Sequence, residues 1–366
     1  MTHMKRNETR QVRCGDVLIG GGAPVSIQSM TNVDSRDEHA LTEQIARLAD
    51  AGCQIVRISV PDAEAAEVFG SVKRKFQRLP LVADIHFDYR MAIEAIRQGA
   101  DKIRINPGNI GGPERVREVV RAAKEREIPI RVGVNSGSLE KPILTKYGSV
   151  TAAALAESAL YNLAMIEDLG YDRLVVSLKA SDVTLNYEAH KLLAAQTDVP
   201  VHIGITEAGT PKRGKLKSAI GIGSLLLCGI GDTMRVSLTA DPVEEVLFAK
   251  EILRTLGMRT SSIDLVSCPT CGRTKINLEA LANEVEAKLA PLEDALLAKG
   301  YPSIKVAVMG CAVNGPGEAR EADFGVAGGD GQGLLFANGE IVRSAVPEDK
   351  LAEELLALIR KRIFAQ

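Results

Sequence analysis

Ile55-Val-Arg-Ile-Ser-Val60, the amphipathic run from Ala63 to Gln77, and Leu81-Val-Ala-Asp-Ile-His86 together form the stretch whose reading decides the fold. An apolar strand pattern, a helical pattern and a second apolar strand pattern follow one another with short joints. Such spacing implies parallel strands joined by a crossover helix. The beat continues on both sides. Val25-Ser-Ile-Gln-Ser-Met30 precedes it, and Lys102-Ile-Arg-Ile-Asn106, Ile130-Arg-Val-Gly-Val134, Leu174-Val-Val-Ser-Leu178, Val201-His-Ile-Gly-Ile205 and Met234-Arg-Val-Ser-Leu238 follow. Helical stretches lie between them, among them Glu38 to Ala51, Pro113 to Arg126 and Pro242 to Leu256. Within the first, Ile45, Leu48 and Ala49 share the i, i+3, i+4 face. Repetition on this scale predicts an α/β fold, a closed (β/α)8 TIM barrel, with an open doubly wound sheet as the alternative. Val12 to Ile19 reads as a small hairpin ahead of the repeat.

After Leu256 the pattern changes. Ile263-Asp-Leu-Val-Ser267, a long helix over Leu278 to Lys299, the strand Ile304-Lys-Val-Ala-Val-Met309 and a final helix from Pro347 to Phe364 predict a smaller α+β domain. Gly333-Leu-Leu-Phe-Ala-Asn338-Gly339-Glu-Ile-Val-Arg343 is a hairpin, because Asn-Gly suits the two left-handed positions of a tight turn. The Gly-rich run Gly328 to Gly333 is a loop feeding that hairpin, since no helix follows it. The division falls near Met258 to Ser262, giving a barrel over 1–258 and a second domain over 259–366.

Hydrophobic residues make up 45% of the 366 and charged residues 25%, which supplies a sizeable core. A formal net charge of −2 and 4% aromatics give no basis for nucleic-acid binding. The first thirteen residues contain no apolar leader pattern, and no run approaches about 20 apolar residues. The expected location is the cytoplasm, where thiols stay reduced and a CxxC indicates metal or redox chemistry.

Several barrel strands carry a polar side chain towards their C-terminal ends, where barrels place their active face. Arg57, Arg104, Arg131, Lys179 and Arg235 lie there, with Asp84, His86, Asn106, Asn135, His202 and Glu207. A single arginine there would be an ordinary salt-bridged side chain. Cations from several strands aimed at one end require an anion to compensate them. Arginine forks match phosphate oxygens, so a multiply charged ligand such as a diphosphate is expected. Asp84 and His86 share a strand face, which favours His86 as a ligand contact. His202 is either a contact or a satisfied core histidine.

Three further residues carry different chemistry. Cys268-Pro-Thr-Cys271 puts two thiols in a proline-bounded turn, and Cys311 follows 40 positions later (311 − 271). Such sulfur ligands suit an iron–sulfur cluster or a zinc ion. Three cysteines leave one position without sulfur, which suits a catalytic centre better than a structural one. Cys14, Cys53 and Cys228 are expected to be small buried hydrophobes.

With both constellations in view, the chain resembles the family of (E)-4-hydroxy-3-methylbut-2-enyl diphosphate synthases of the non-mevalonate isoprenoid pathway, in its two-domain bacterial form. The resemblance rests on Ser26-Ile-Gln-Ser-Met-Thr-Asn32, Arg57-Ile-Ser-Val-Pro61, Ala83-Asp-Ile-His-Phe87 and Arg104-Ile-Asn-Pro-Gly-Asn109. It continues in Arg131-Val-Gly-Val-Asn-Ser-Gly-Ser-Leu139, Gly204-Ile-Thr-Glu-Ala-Gly209, Ser267-Cys-Pro-Thr-Cys-Gly-Arg273 and Met309-Gly-Cys-Ala-Val-Asn-Gly-Pro-Gly-Glu318. It implies a [4Fe–4S] cluster on Cys268, Cys271, Cys311 and Glu318, in a sulfite- and nitrite-reductase-like domain. It implies diphosphate contacts at Arg57, Arg104, Arg131, Lys179 and Ser237, with His86 and Asn135 nearby. Glu207 falls on a cavity carboxylate suited to proton handling. The implied reaction is two-electron reductive ring opening of 2-C-methyl-D-erythritol 2,4-cyclodiphosphate with loss of water. Reduced flavodoxin or ferredoxin is the implied electron donor. Glu318, a harder donor than thiolate and placed after a Gly-Pro-Gly turn, is expected to be the exchangeable ligand. The implied assembly is a homodimer in which one subunit's cluster domain caps the other's barrel. The competing reading is a phosphate-binding barrel lyase or transferase with a structural zinc domain.

Overall fold

The computed structural model describes residues 5–258, 263–311 and 321–364. The chain divides into two compact units, Met1–Leu256 and Gly257–Gln366.

The first unit begins with an antiparallel hairpin, β1 (Val12–Cys14) and β2 (Val17–Ile19), turning through Gly15 at φ 54°. Eight parallel strands follow: β3 (Ser26–Met30), β4 (Ile55–Ser59), β5 (Leu81–Asp84), β6 (Lys102–Ile105), β7 (Ile130–Asn135), β8 (Leu174–Lys179), β9 (His202–Ile203) and β10 (Thr233–Met234). They pair in the order β8-β7-β6-β5-β4-β3-β10-β9. A parallel bridge between Val176 and Val201, with the Val176 amide donating to the Pro200 carbonyl at 2.9 Å, joins the two ends. The expected TIM barrel is what forms, and the open-sheet alternative falls away.

Crossover helices surround the ring, including Glu38–Asp50, Ala63–Lys75, Pro113–Arg126 and Pro242–Thr255. Their starts are written into the loops. Asp37, Asp62, Asp88, Thr151, Asp182 and Asp241 each accept an amide hydrogen from the first turn they cap. The hairpin lies at the N-terminal end of the ring, where Val12, Cys14 and Ile19 pack against Ile55, Val82 and Val175. That apolar plug closes the floor.

Two strands are shorter than the sequence pattern suggests. Only Thr233 and Met234 of the last strand pair as a ladder, and only His202 and Ile203 of the strand beside it, with the backbones so close there that a Cβ at Gly204 would meet the Arg235 carbonyl oxygen at 2.6 Å. Met234–Leu238 is therefore mostly not a strand. Cys14 and Cys53 are buried as expected, but Cys228 is exposed. It is the first residue beyond the helix Pro211–Leu227, with its Sγ 3.3 Å from the Tyr187 hydroxyl.

The second unit is a five-stranded mixed sheet: β11 (Ile263–Ser267), β12 (Ile304–Met309), β13 (Phe324–Gly328), β14 (Gln332–Ala337) and β15 (Glu340–Pro347). The first three strands are parallel and the last three antiparallel. Alternation along β12 divides its side chains between two faces. Ile304, Val306 and Val308 join Leu281, Val285 and Leu289 of the helix Leu278–Ala298, and Leu355 and Ile359 of the helix Leu351–Phe364. Ala307 and Met309 meet Phe336 on the other face. Asn338 and Gly339 make the expected turn at φ 51° and 79°. The final helix starts at Leu351 rather than Pro347, because β15 runs on to Pro347 and a 3-10 turn over Glu348–Lys350 intervenes.

Candidate active site

Side chains alternate along each barrel strand, so every second residue faces the lumen. Most barrels fill that space with branched aliphatic residues in layers. Here β3 presents Ser26, Gln28 and Met30, β4 presents Arg57, and β5 presents Asp84. On β6 Lys102 and Arg104 face inward, on β7 Arg131, on β8 Ser177 and Lys179. The lumen is therefore polar and cationic.

Several of these groups open onto a cleft of about 380 Å³ at the C-terminal mouth, lined by Arg57, Asp84, His86, Arg104, Asn135, Lys179 and Glu207 among others. Asp84 is its electrostatic centre. Its carboxylate, 1% exposed, stands 3.7 Å from Arg57 Nε, 3.4 Å from Arg104 Nη1 and 3.4 Å from His86 Nε2. Burial alone would raise its pKa. Arg57 and then Arg104 outweigh that and hold the carboxyl well below the ordinary range.

One carboxylate does not balance what surrounds it. Burial lowers the Arg57 guanidinium to about 10, with Asp84 opposing and Arg235 and Arg104 adding to the fall. Lys179 is pulled well below its usual value by burial and by Arg57, Arg131, Arg235 and Arg104. Two Arg57 nitrogens lean on the Met30 sulfur at 3.0 and 2.7 Å, a weak acceptor for a guanidinium. A further buried carboxylate, Glu245, is engaged by the Ser29 hydroxyl at 3.0 Å, the Leu238 amide at 2.9 Å and Arg235 at 3.5 Å. Desolvated cations in excess of anions make a site preorganised for an anionic ligand.

Glu207 lines the same cleft at φ 51°, a left-handed backbone that a non-glycine residue adopts only under constraint. Two expected contacts stand elsewhere. Arg131 lies beneath the cleft, wholly buried, its Nη1 donating to Gln28 Oε1 at 3.1 Å. Ser237 is half-buried on the segment after β10, outside the cleft lining. His202 is also below the cleft, with Nδ1 3.4 Å from Thr233 Oγ1. Asn109, Ser136 and Thr206 line the cleft without having been singled out from sequence. Gln28 and Met30 were missed as site residues too, although strand alternation puts them on the same inward face as Ser26.

In the second unit, Cys268 and Cys271 follow the end of β11, and Cys311 follows β12 by two residues. These strands are parallel neighbours with Ser267 opposite Val308, so their ends lie together. The Gly310 amide donates to Cys268 Sγ at 3.2 Å, and the Lys275 amide donates to the Gly310 carbonyl at 3.3 Å. The Cys271 thiol is lowered, chiefly by the Arg273 amide, against a burial effect that raises it. Amide donors to sulfur and a lowered thiol favour thiolates, the soft donors that iron–sulfur and zinc centres use. Among the described residues no three His, Cys, Asp or Glu side chains are gathered closely enough to hold a metal ion. Glu318 lies outside the described residues.

A (β/α)8 barrel with a polar, cation-rich lumen, followed by an α+β domain whose adjacent strand ends bear cysteines, defines a two-domain barrel enzyme. The chain belongs to the GcpE family: the GcpE TIM-barrel domain matches residues 9–250, and the GcpE protein C-terminal domain matches residues 264–361. It is 56% identical to the 4-hydroxy-3-methylbut-2-en-1-yl diphosphate synthase (flavodoxin) of Geobacter sulfurreducens, over 97% of this chain and 98% of that protein. The enzyme of the same name from Ruminiclostridium cellulolyticum is 53% identical over 96% of this chain and 97% of its own length. Among solved structures, dihydropteroate synthase from Thermus thermophilus superposes with a TM-score of 0.51 at 15% identity, covering 68% of this chain and 98% of that one. The Yersinia pestis enzyme gives 0.50 at 15% identity, covering 70% of this chain and 100% of that one. These last two likenesses concern the barrel fold alone.

Proposed function

We propose that this chain converts 2-C-methyl-D-erythritol 2,4-cyclodiphosphate to (E)-4-hydroxy-3-methylbut-2-enyl diphosphate. Two electrons and two protons enter, one water leaves, and the diphosphate stays on the product. The observation that carries this reading is the convergence of Arg57, Arg104 and Lys179 on one cleft in which Asp84 faces them. A diphosphate supplies the missing negative charge, and its fixed position turns ring opening into a step between oriented groups. The names of the relatives support the substrate class and flavodoxin as electron donor.

Within the cleft, the cations hold the diphosphate while His86, positioned by Asp84, and Asn135 offer hydrogen bonds to it. Glu207, on the cleft lining, is the proposed carrier of the proton for the departing hydroxyl. Arg131 supports the arrangement from below, adding positive potential behind the phosphate groups. Cys268, Cys271, Cys311 and Glu318 would hold a [4Fe–4S] cluster. When bound, such a cluster supplies the electrons and a Lewis-acidic iron. The proposed assembly is a homodimer.

The test is anaerobic purification of the full chain, iron and zinc analysis, and incubation with the cyclodiphosphate, dithionite and a viologen. Brown, iron-loaded protein that opens the ring is the expected result. A colourless, zinc-loaded protein that leaves the cyclodiphosphate intact would transfer the case to the zinc-stapled lyase or transferase.

A further inference from the structure

Below the mouth cleft, alternation along the strands puts a deeper layer of buried polar side chains inside the ring, here called the chamber. Lys102 on β6 and Arg131 on β7 reach it, and both are 0% exposed. On the opposite wall, Thr233 is in register with both Ser26 and His202, so these three stand side by side on β10, β3 and β9. The plug formed by Val12, Cys14 and Ile19 shuts the chamber from below. Arg131, tied across the lumen to Gln28, lies between the chamber and the cleft.

The polar atoms left over in this space are nearly all donors. Lys102 Nζ, Arg131 Nε and Nη2, Gln28 Nε2, His202 Nε2 and Ser26 Oγ have no hydrogen-bond partner among the described residues. The neighbouring carboxylates are engaged elsewhere. Asp84 is held by Arg57, Arg104 and His86. Asp101, at the foot of β6, takes Lys73 Nζ at 2.6 Å and the Leu81 amide at 2.7 Å.

We propose that this chamber is a binding site for one small monovalent anion of the halide class, held by Lys102 and Arg131 with His202 and Ser26. Three considerations select that ligand. A water molecule brings two hydrogens of its own, and apart from hydroxyl oxygens the leftover atoms offer them nothing. Water also leaves two desolvated cations uncompensated, which an anion does not. A polyatomic phosphate belongs to the open mouth, whereas Lys102, Arg131, His202 and Ser26 are at most 1% exposed.

The electrostatics agree. Burial lowers the Lys102 ammonium to about 8, with Cys14 opposing and Arg131 adding to the fall. Burial, then Arg131, Lys179 and Lys102, hold His202 well below its ordinary value and therefore neutral. The proposal assigns the neutral ring the tautomer in which Nδ1 accepts from the Thr233 hydroxyl, 3.4 Å away, which leaves Nε2–H as the donor to the anion. The anion offsets the burial that lowers Lys102 and lets two cations pack inside the barrel. None of this rests on the proposed substrate, and the test is run without it.

Crystals of the full chain, free of substrate and soaked in sodium bromide, are examined by anomalous diffraction at the bromine edge. The expected result is a bromine peak within hydrogen-bonding distance of Lys102 Nζ and an Arg131 nitrogen. In solution, bromide replacing gluconate at constant ionic strength raises the barrel's melting temperature by about 2–4 °C, and Lys102→Met abolishes that rise. Bromine at the mouth alone, non-anomalous water in the chamber, or density continuous with Lys102 Nζ would overturn the proposal. Should Lys102→Met not fold, the diffraction result on the unaltered chain decides.

Discussion

Arg131 and Gln28 meet across the full width of the barrel: Nη1 of one donates to Oε1 of the other at 3.1 Å, from strands on opposite sides of the ring. A neutral amide is thus the acceptor for a guanidinium that has no exposure. This choice keeps the lumen positive. A carboxylate in its place would strengthen the unliganded barrel and weaken its hold on anions.

Gln28→Glu is therefore expected to raise the melting temperature and to weaken binding of inorganic pyrophosphate by about tenfold or more, the equivalent of about 1.4 kcal/mol. Calorimetric titration reads the second effect. Unchanged or tighter pyrophosphate binding would mean that lumen potential does not govern the mouth.

Gly133 leaves room for Arg104. A Cβ at position 133 would lie 2.5 Å from Arg104 Nε and 2.8 Å from Nη2. Gly133→Ala should keep the fold by circular dichroism while displacing the guanidinium, lowering kcat/KM by roughly 10- to 100-fold. Wild-type kinetics in this variant would remove Arg104 from the ligand-positioning set.

Removing Asp84's charge should cost stability without abolishing anion binding. Breaking a buried ion pair on one side typically destabilises by about 3–5 kcal/mol. Asp84→Asn should melt earlier than the parent, and pyrophosphate should raise its melting temperature by more than it raises the parent's. An equal or smaller rise would show that the cations are balanced by something other than Asp84 and the ligand.

His190 predicts an acid limb of stability. Its Nδ1 is 2.7 Å from the Asn186 carbonyl, and burial lowers the imidazole from 6.5 to about 4. Between those two values the unfolded chain binds this proton and the folded chain does not, so stability falls as pH falls through that window. The loss is about 2 kcal/mol by about pH 5. Urea unfolding at about pH 7 and about pH 5 should show a smaller difference for His190→Gln than for the parent. Identical differences would assign the acid sensitivity to other groups.

Cys311→Ser should lose most of the iron taken up by the anaerobically prepared chain, and with it turnover. Its barrel should still bind pyrophosphate, because the cleft residues all belong to the first unit. Full iron content would exclude Cys311 as a ligand.

The periodic part of the chain was the readable part. Pro113 to Arg126 appears as a helix with those bounds, since proline at its first position and charged residues in its last turn mark both ends. Strand β13 escaped notice because glycines begin and end its central run. In the fold, Gly325 makes room for the Phe336 ring, which would lie 2.2 Å from a Cβ there. The site was partly legible for a related reason. Arginines at strand ends stand out in sequence, whereas Gln28 and Met30 look ordinary until the ring closes and sets them against Arg131 and Arg57. Depth was not legible at all: Arg104 and Arg131 share a register, yet only Arg104 lines the cleft.

The hairpin floor makes the barrel a vessel with a single opening. Whatever enters at the mouth must leave by the same route, so spent ligand has to clear before fresh ligand can be admitted. Turnover in such a cup is paced by emptying as well as by chemistry, and an unreactive diphosphate lodged there stops traffic in both directions.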